Sequence, residues 1–345
     1  MNPQHSPSLM AQEAAEAGPA IARQLAQASA RFAELGERLR RLAPPFVVTC
    51  ARGSSDHAAT YGKYLIETTL GRPVASIGPS IASVYHHRLE LSGGLFVAVS
   101  QSGRSPDLLR LTEAARAGGA LVVGFVNAMD SPLPALCDVC IPLAAGPERA
   151  VAATKSCLAS FAAFLQLVAH WQQDDGLLAQ AAALPQTLAR AVACDWYEPL
   201  QPLAKLSGLF MIGRGLGLGA AMEMALKCKE TSCLHAEAFS AAEVVHGPIA
   251  LIGPHFPALA LTQADPAAAQ TRSVVERMLG MGAQVWLAGD AVPGATVLAM
   301  PPDLPAESVP LAALQSFYLA IDRIARDRGL NPDAPEHLKK VTETT

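Results

Sequence analysis

FVVTCARGSS at residues 46–55 and LFMIGRGLGL at residues 209–218 are the two stretches on which the fold turns. Each opens on an apolar run too short for a buried helix, passes through Arg-Gly, and leads into a helix-compatible segment. A buried strand, a glycine turn and then a helix make the repeating unit of a parallel sheet covered on both faces. Meeting that unit once in each half of the chain predicts a duplicated domain.

Outward from the first copy, a helix over residues 13–42, stopped by Pro44 and Pro45, precedes the strand at 46–50. The turn Gly53-Ser54-Ser55 opens a helix to about residue 69. Strands at 95–100, 121–126 and 139–143 then alternate with helices at 106–117 and 151–172. From the second copy the pattern restarts: a strand at 209–212, the turn Gly213-Arg214-Gly215, and a helix to about residue 233. Strands at 258–261, 285–288 and 296–299 and a helix over 306–326 complete it. The class is α/β, with two tandem doubly wound, flavodoxin-like parallel-sheet domains. The expected limits are a helical lead at 1–44, a first domain at 45–175, a second at 195–330 and a non-core tail at 331–345. A hinge is expected near residues 174–176 or just after the helix that follows.

A chain of 345 residues agrees with two cores of about 150 residues each. The net charge of -4 argues against a nucleic-acid backbone or an anionic membrane as main partner. The first twenty residues lack the basic start and apolar core of a secretory signal. The longest apolar stretch, at 157–169, includes Gln166 and is too short to span a bilayer. Seven cysteines without framework spacing fit a reducing cytoplasm. Cys137 and Cys140 form a lone C-x-x-C, the spacing of a metal or redox site; with no second pair, it reads instead as two small apolar residues on a half-buried strand.

SQSGRS at residues 100–105 lies between a buried strand and a helix start, with Ser105 at the N-cap and Pro106 at the first helical position. Backbone N–H groups and the positive helix end would converge there with the hydroxyls of Ser100, Ser102 and Ser105. A phosphate monoester needs such short donors and no competing carboxylate. Serines also cap helices with no ligand involved, but Ser54 and Ser55 on a neighbouring strand add a second set at the same sheet edge. The corresponding second-half loop, LTQADP at 261–266, lacks the serine pair and carries an acid, so that half is not expected to bind phosphate.

The segment 223–246, EMALKCKETSCLHAEAFSAAEVVH, concentrates the candidate acids and bases. Glu223, Lys227 and Glu230 share a helical face, either as a solvated ion-pair row or as the start of a proton-transfer site near a loop bearing His235, Glu237 and His246. His246 precedes the sharp turn Gly247-Pro248; taken alone, a histidine there is more often structural. His86-His87 reads as a surface pair with no partners for a metal. Lys339 and Lys340 read as solvated tail lysines.

Together, ARGSSDHA from Ala51, SQSGRSPD from Ser100, ERAVAATK from Glu148, ALKCKETSCLHAEAFSAAEVVHGPIALI from Ala225 and PEHLKKVTET from Pro335 resemble the sugar-isomerase (SIS) half of glucosamine-fructose-6-phosphate synthase. Among shorter relatives, the chain is most similar to SIS-type glucosamine-6-phosphate deaminases. The resemblance implies that Gly53, Ser54, Ser55, Ser100, Gln101, Ser102 and Ser105 hold a sugar phosphate, and that Val151 and Ala152 line the sugar. It further implies Glu230 as the C1–C2 proton shuttle with Lys227 beside it. His246 would open the ring, reaching into a neighbouring subunit's site, and Lys340 would act at the carbonyl carbon. The implied reaction converts a hexosamine 6-phosphate to fructose 6-phosphate and ammonia in a cytoplasmic homodimer, with no cofactor and no metal. The synthase's glutaminase half, with its N-terminal cysteine nucleophile, has no counterpart in a sequence opening Met1-Asn2. The alternatives are synthesis from ammonia or from a partner glutaminase, and a sugar-phosphate sensor without turnover.

Overall fold

The computed structural model describes residues 7–340, so the tail beyond Lys340 lies outside it. In chain order the first part contains α1 (Leu9–Ala15), α2 (Ala17–Leu42), β1 (Val47–Cys50), α3 (Ser54–Leu70), β2 (Val74–Ser76), α4 (Ser80–Ser83) and β3 (Leu95–Ser100). It continues through α5 (Pro106–Ala117), β4 (Leu121–Val126), α6 (Leu133–Leu136), β5 (Val139–Pro142), α7 (Lys155–Gln172) and α8 (Asp175–Val192). The second part holds α9 (Tyr197–Leu200), β6 (Gly208–Gly213), α10 (Gly217–Ser232), β7 (His235–Ser240), β8 (Ala258–Leu261), α11 (Ala268–Gly280), β9 (Val285–Ala288), β10 (Thr296–Leu298) and α12 (Val309–Asp327).

Two five-stranded parallel sheets result, in the orders β2-β1-β3-β4-β5 and β7-β6-β8-β9-β10. Counted within each half, both orders are 2-1-3-4-5, so the expected duplication extends to topology. In each the strand order reverses between the first and third strands, which opens a crevice at their carboxyl ends. Every residue of β3 and β4 is buried, as strands covered on both faces require. Phe96, on β3, lies fully buried in a cluster with Val48, Leu108, Leu111 and Val122, and burying such a ring stabilises the fold by roughly 1.5–3 kcal/mol. In the second sheet Phe210, Ile212, Ala260 and Val285 anchor the equivalent cluster.

The residues sort into two compact units, one of residues 19–147, 156–184 and 339–340, the other of 7–18, 148–155 and 185–338. Two of the seams fall inside α2 and α8. Three expectations need correction. The anticipated first helix is broken at Glu16 into α1 and α2. The helix expected from residue 151 starts at Lys155, because the Glu148 carboxylate accepts the Thr154 N–H at 3.0 Å and folds the preceding residues into a turn. The expected loop carrying His235 and Glu237 is strand β7, paired in parallel with β6 from Gly208↔His235 to Gly213↔Ser240. No helix among the described residues is long and apolar enough to cross a membrane.

Candidate active site

In the first unit the crevice lies where β1 and β3 end. Gly53 takes the N-cap position of α3 with φ 53°, which places Ser54 and Ser55 in the first helical turn rather than ahead of it. Ser100 closes β3 and is 7% exposed; its Oγ accepts the Gly103 N–H at 2.9 Å, leaving its own proton for another acceptor. Gly103 has φ 61°, and a Cβ there would stand 2.0 Å from Ser131 Oγ, so only glycine lets the loop close. Ser105 occupies the N-cap of α5, as expected, but makes no side-chain cap bond. The Ser55, Gln101 and Ser105 side chains have no hydrogen-bond partner among the described residues, so helix capping does not account for these donors.

The expectation of no nearby carboxylate is corrected. Asp107, 1% exposed, sits in the first turn of α5, and its Oδ2 accepts from Arg52 Nη2 at 2.6 Å and Nε at 3.1 Å. Its Oδ1 accepts the Leu108 N–H at 2.8 Å. The pairing neutralises the acid and holds the guanidinium across the crevice. Sequence reasoning passed over both residues, although the Arg-Gly step was visible in each half. Asp56, in the first turn of α3, has its pKa raised by burial, against the opposing pull of His57 and Arg52.

In the second unit, the solvated ion-pair row is excluded. Glu223 and Lys227 on α10 have fully buried side chains, and the Glu230 side chain is 24% exposed. Lys227 Nζ lies 3.3 Å from Glu223 Oε1 and 2.5 Å from Glu230 Oε2. Tyr318, from α12, donates its hydroxyl to Glu223 Oε1 at 2.9 Å. A buried ammonium must be paired, and this one binds two carboxylates, the outer of which reaches solvent. Glu230 Oε2 is engaged by the lysine, while Oε1 has no partner among the described residues. Tyr318 carries no local sequence signal for this role.

His246 is not gathered with Glu230 within one chain. Helix α10 runs antiparallel to the strands, so Glu230 near its end lies at the amino edge of the sheet, whereas His246 follows the carboxyl end of β7. Strand β7, whose six residues span about 20 Å, runs between those two edges. His246 ends a 3-10 turn, is exposed and has no hydrogen-bond partner among the described residues. Gly247, at φ 141° and ψ -56°, fixes the turn in a conformation that only glycine adopts readily. His235 and Glu237 point outward on edge strand β7.

The turn with Val151 and Ala152 also belongs to this unit. Glu13 accepts the Arg149 and Ala150 N–H groups at 2.6 and 3.1 Å, and burial raises its pKa. Val151 N–H donates to Asp333 O at 3.0 Å, and the Asp333 carboxylate accepts the Leu9 and Met10 N–H groups, so the irregular tail is pinned there. Lys340 is half-buried and groups with the first-sheet unit.

The SIS domain family matches residues 46–170. A crystal structure from Silicibacter pomeroyi DSS-3, provisionally assigned as a phosphosugar isomerase, superimposes with a TM-score of 0.90 at 42% identity, covering 94% of this chain and all of that one. The chain belongs to the SIS domain family. The isomerizing glutamine–fructose-6-phosphate aminotransferase of Symbiobacterium thermophilum is 38% identical over 263 residues, 72% of this chain and 42% of that protein. This SIS chain spans about half the length of the curated relatives it matches. The glucosamine-6-phosphate deaminase of Thermotoga maritima shares the fold, with a TM-score of 0.73 at 19% identity over 94% of this chain and all of that one. The hydroxyl-lined crevice thus lies within the residues that the family match spans.

Proposed function

We propose that the chain converts a hexosamine 6-phosphate, glucosamine 6-phosphate first among them, to fructose 6-phosphate and ammonia in the cytoplasm. The observation that carries this reading is Glu230, one oxygen held by buried Lys227 and the other uncommitted at an accessible edge. Gly53, Ser54, Ser55, Ser100, Gln101, Ser102 and Ser105 take the phosphate through hydroxyl and backbone donors, while Val151 and Ala152 border the sugar. His246 of a neighbouring copy protonates the ring oxygen as the pyranose opens, which is the role of an exposed, unpartnered histidine in a homodimer. Glu230 then removes the C2 proton and returns it to C1, turning the C1 aldehyde and C2 amine into a C1 hydroxyl and C2 imine. Water adds at C2 and ammonia leaves, with Lys340 acting at that carbon. The substrate's own C1 aldehyde supplies the electron sink, so the chemistry calls for no cofactor or metal; general acid–base transfer of this kind is worth about 10²–10⁴-fold.

Purified protein mixed with glucosamine 6-phosphate, and separately with galactosamine 6-phosphate, is expected to release ammonia and ketose phosphate in equal amounts from at least one. Glu230→Gln should lower kcat by about 10³-fold while leaving fructose 6-phosphate affinity within about twofold. Binding without product from either sugar would instead make the chain a sensor. The names of the aminotransferase relatives favour a second reading, synthesis. Fructose 6-phosphate plus ammonium, with formation of glucosamine 6-phosphate, tests that direction.

A further inference from the structure

Cys137 caps the end of α6 and Cys140 lies on β5, both half-buried. Their sulfurs gather over one bare point of the sheet: a Cβ at Gly124 would lie 2.6 Å from Cys137 Sγ and 3.6 Å from Cys140 Sγ. Gly124 is the cross-strand partner of Cys140, and the glycine inside LVVGFV makes room for the Cys137 sulfur beside it. Cys140 Sγ donates to Met129 Sδ at 3.9 Å in an exposed setting, and Cys137 Sγ to Leu133 O at 3.3 Å. The proximity of the two thiols lowers the Cys140 pKa and raises that of Cys137; burial opposes the fall at Cys140, and the Arg31 charge assists it. Arg31 Nη1 donates to Cys140 O at 3.1 Å. An open cavity of about 470 Å³ reaches Cys140 between Arg31, Glu34, Arg38 and Asp138. A lining with charges of both signs suits a small zwitterionic peptide. Burial pushes the pKa of Cys50 and of Cys228 up to about 12.

We propose that Cys137 and Cys140 form a thiol–disulfide exchange site for small zwitterionic peptide disulfides of the oxidised-glutathione class, with Cys140 the attacking thiol and Cys137 the resolving one. The Cys140 thiolate attacks one sulfur of the reagent, whose S–S bond breaks, and the first peptide thiolate leaves and takes a proton from solvent. Cys137 loses its proton to solvent and attacks the Cys140 sulfur, expelling the second peptide thiolate, which is protonated in turn. Two protein thiols become one disulfide while one peptide disulfide becomes two thiols. The cavity is lined by Cys140 and not by Cys137, so a reagent entering it meets the Cys140 sulfur first.

The full chain is incubated at pH 7 with oxidised glutathione, trapped by alkylation at intervals, and followed by intact mass and peptide mapping. The expected first adduct is at Cys140, on the order of tenfold faster than at exposed Cys233, and it gives way to a Cys137–Cys140 disulfide. Cys137→Ser should stop at the Cys140 mixed disulfide, and Cys140→Ser should lose the fast phase. A first adduct at Cys137 or Cys233, or a wild-type chain that keeps the Cys140 adduct without closing the ring, overturns the proposal. The order of events in the wild-type chain needs no variant to fold.

Discussion

The two sheets share strand order, crevice position and an Arg-Gly lead-in, yet they use the crevice in opposite ways. Where β1 and β3 end, the loop folds on Ser100 and Gly103 and leaves the Ser55, Gln101 and Ser105 side chains uncommitted. Where β6 and β8 end, Gln263 Nε2 fills the gap, donating to Arg214 O and to Asp265 Oδ2, both at 2.8 Å. Asp265 Oδ1 in turn accepts the Ala267 N–H at 2.8 Å. The cavity of about 300 Å³ beside that loop is lined by Asp290 and Asp303 and by no basic residue, a poor setting for phosphate. The second unit pairs its polar groups internally, at Gln263 and again at Lys227. Fold alone therefore does not assign the ligand; the loop residues do.

Breaking the internal pairing at Lys227 should produce the largest effect. Lys227→Met leaves Glu223 buried with its nearest cation gone, a change worth about 3–5 kcal/mol. Adding Glu223→Gln removes the stranded charge and should recover at least about 2 kcal/mol in urea unfolding. Loss of stability that the second substitution leaves untouched would show that the ammonium acts through packing rather than charge.

In the first unit the corresponding test is Gly103→Ala, which drives a methyl onto Ser131 Oγ in a left-handed conformation and should cost about 3 kcal/mol. Gly103→Ala with Ser131→Gly relieves the clash and should leave only about 1–2 kcal/mol of backbone strain. Fructose 6-phosphate affinity should fall in the first variant and return in part in the second, as read by calorimetry. Equal losses in both would place the whole effect in the backbone.

How far the sequence could be read follows from where the signals were local. Strand β3, helix α5 and strand β4 lie at the expected residues, since apolar runs are bounded there by Ser, Pro and Gly. Strand β7 was hidden because HAEAFS alternates with alanine, a poor strand former on an edge. Missing it also hid the direction of α10, and with that the fact that Glu230 and His246 face opposite sheet edges. The Tyr318–Glu223 bond joins positions 95 apart, and no spacing rule reaches that far. The serine loop was legible as a donor set, but whether Ser105 caps its helix was a matter of geometry.

Disrupting the plug is a milder test of the contrast between crevices. Gln263→Ala strips a side-chain donor from Arg214 O and should destabilise the chain by about 1–2 kcal/mol. It should leave fructose 6-phosphate affinity unchanged, because Asp265 stays and no hydroxyls are gained. A variant that gained phosphate affinity would mean that plugging alone, not loop chemistry, separates the two crevices.

The smallest expected stability change is the most discriminating. A serine that caps a helix through its hydroxyl loses about 1 kcal/mol on becoming alanine. Ser105 makes no such bond, so Ser105→Ala should cost less than about 0.5 kcal/mol in denaturant unfolding. If that hydroxyl is kept for a ligand, the same change should weaken fructose 6-phosphate binding by about five- to tenfold, the loss of one hydrogen bond to a charged group. Stability and affinity are thus expected to separate at one atom. Were the variant to lose a full kilocalorie of stability and no affinity, Ser105 would be an ordinary cap, and the first crevice would hold phosphate with one donor fewer.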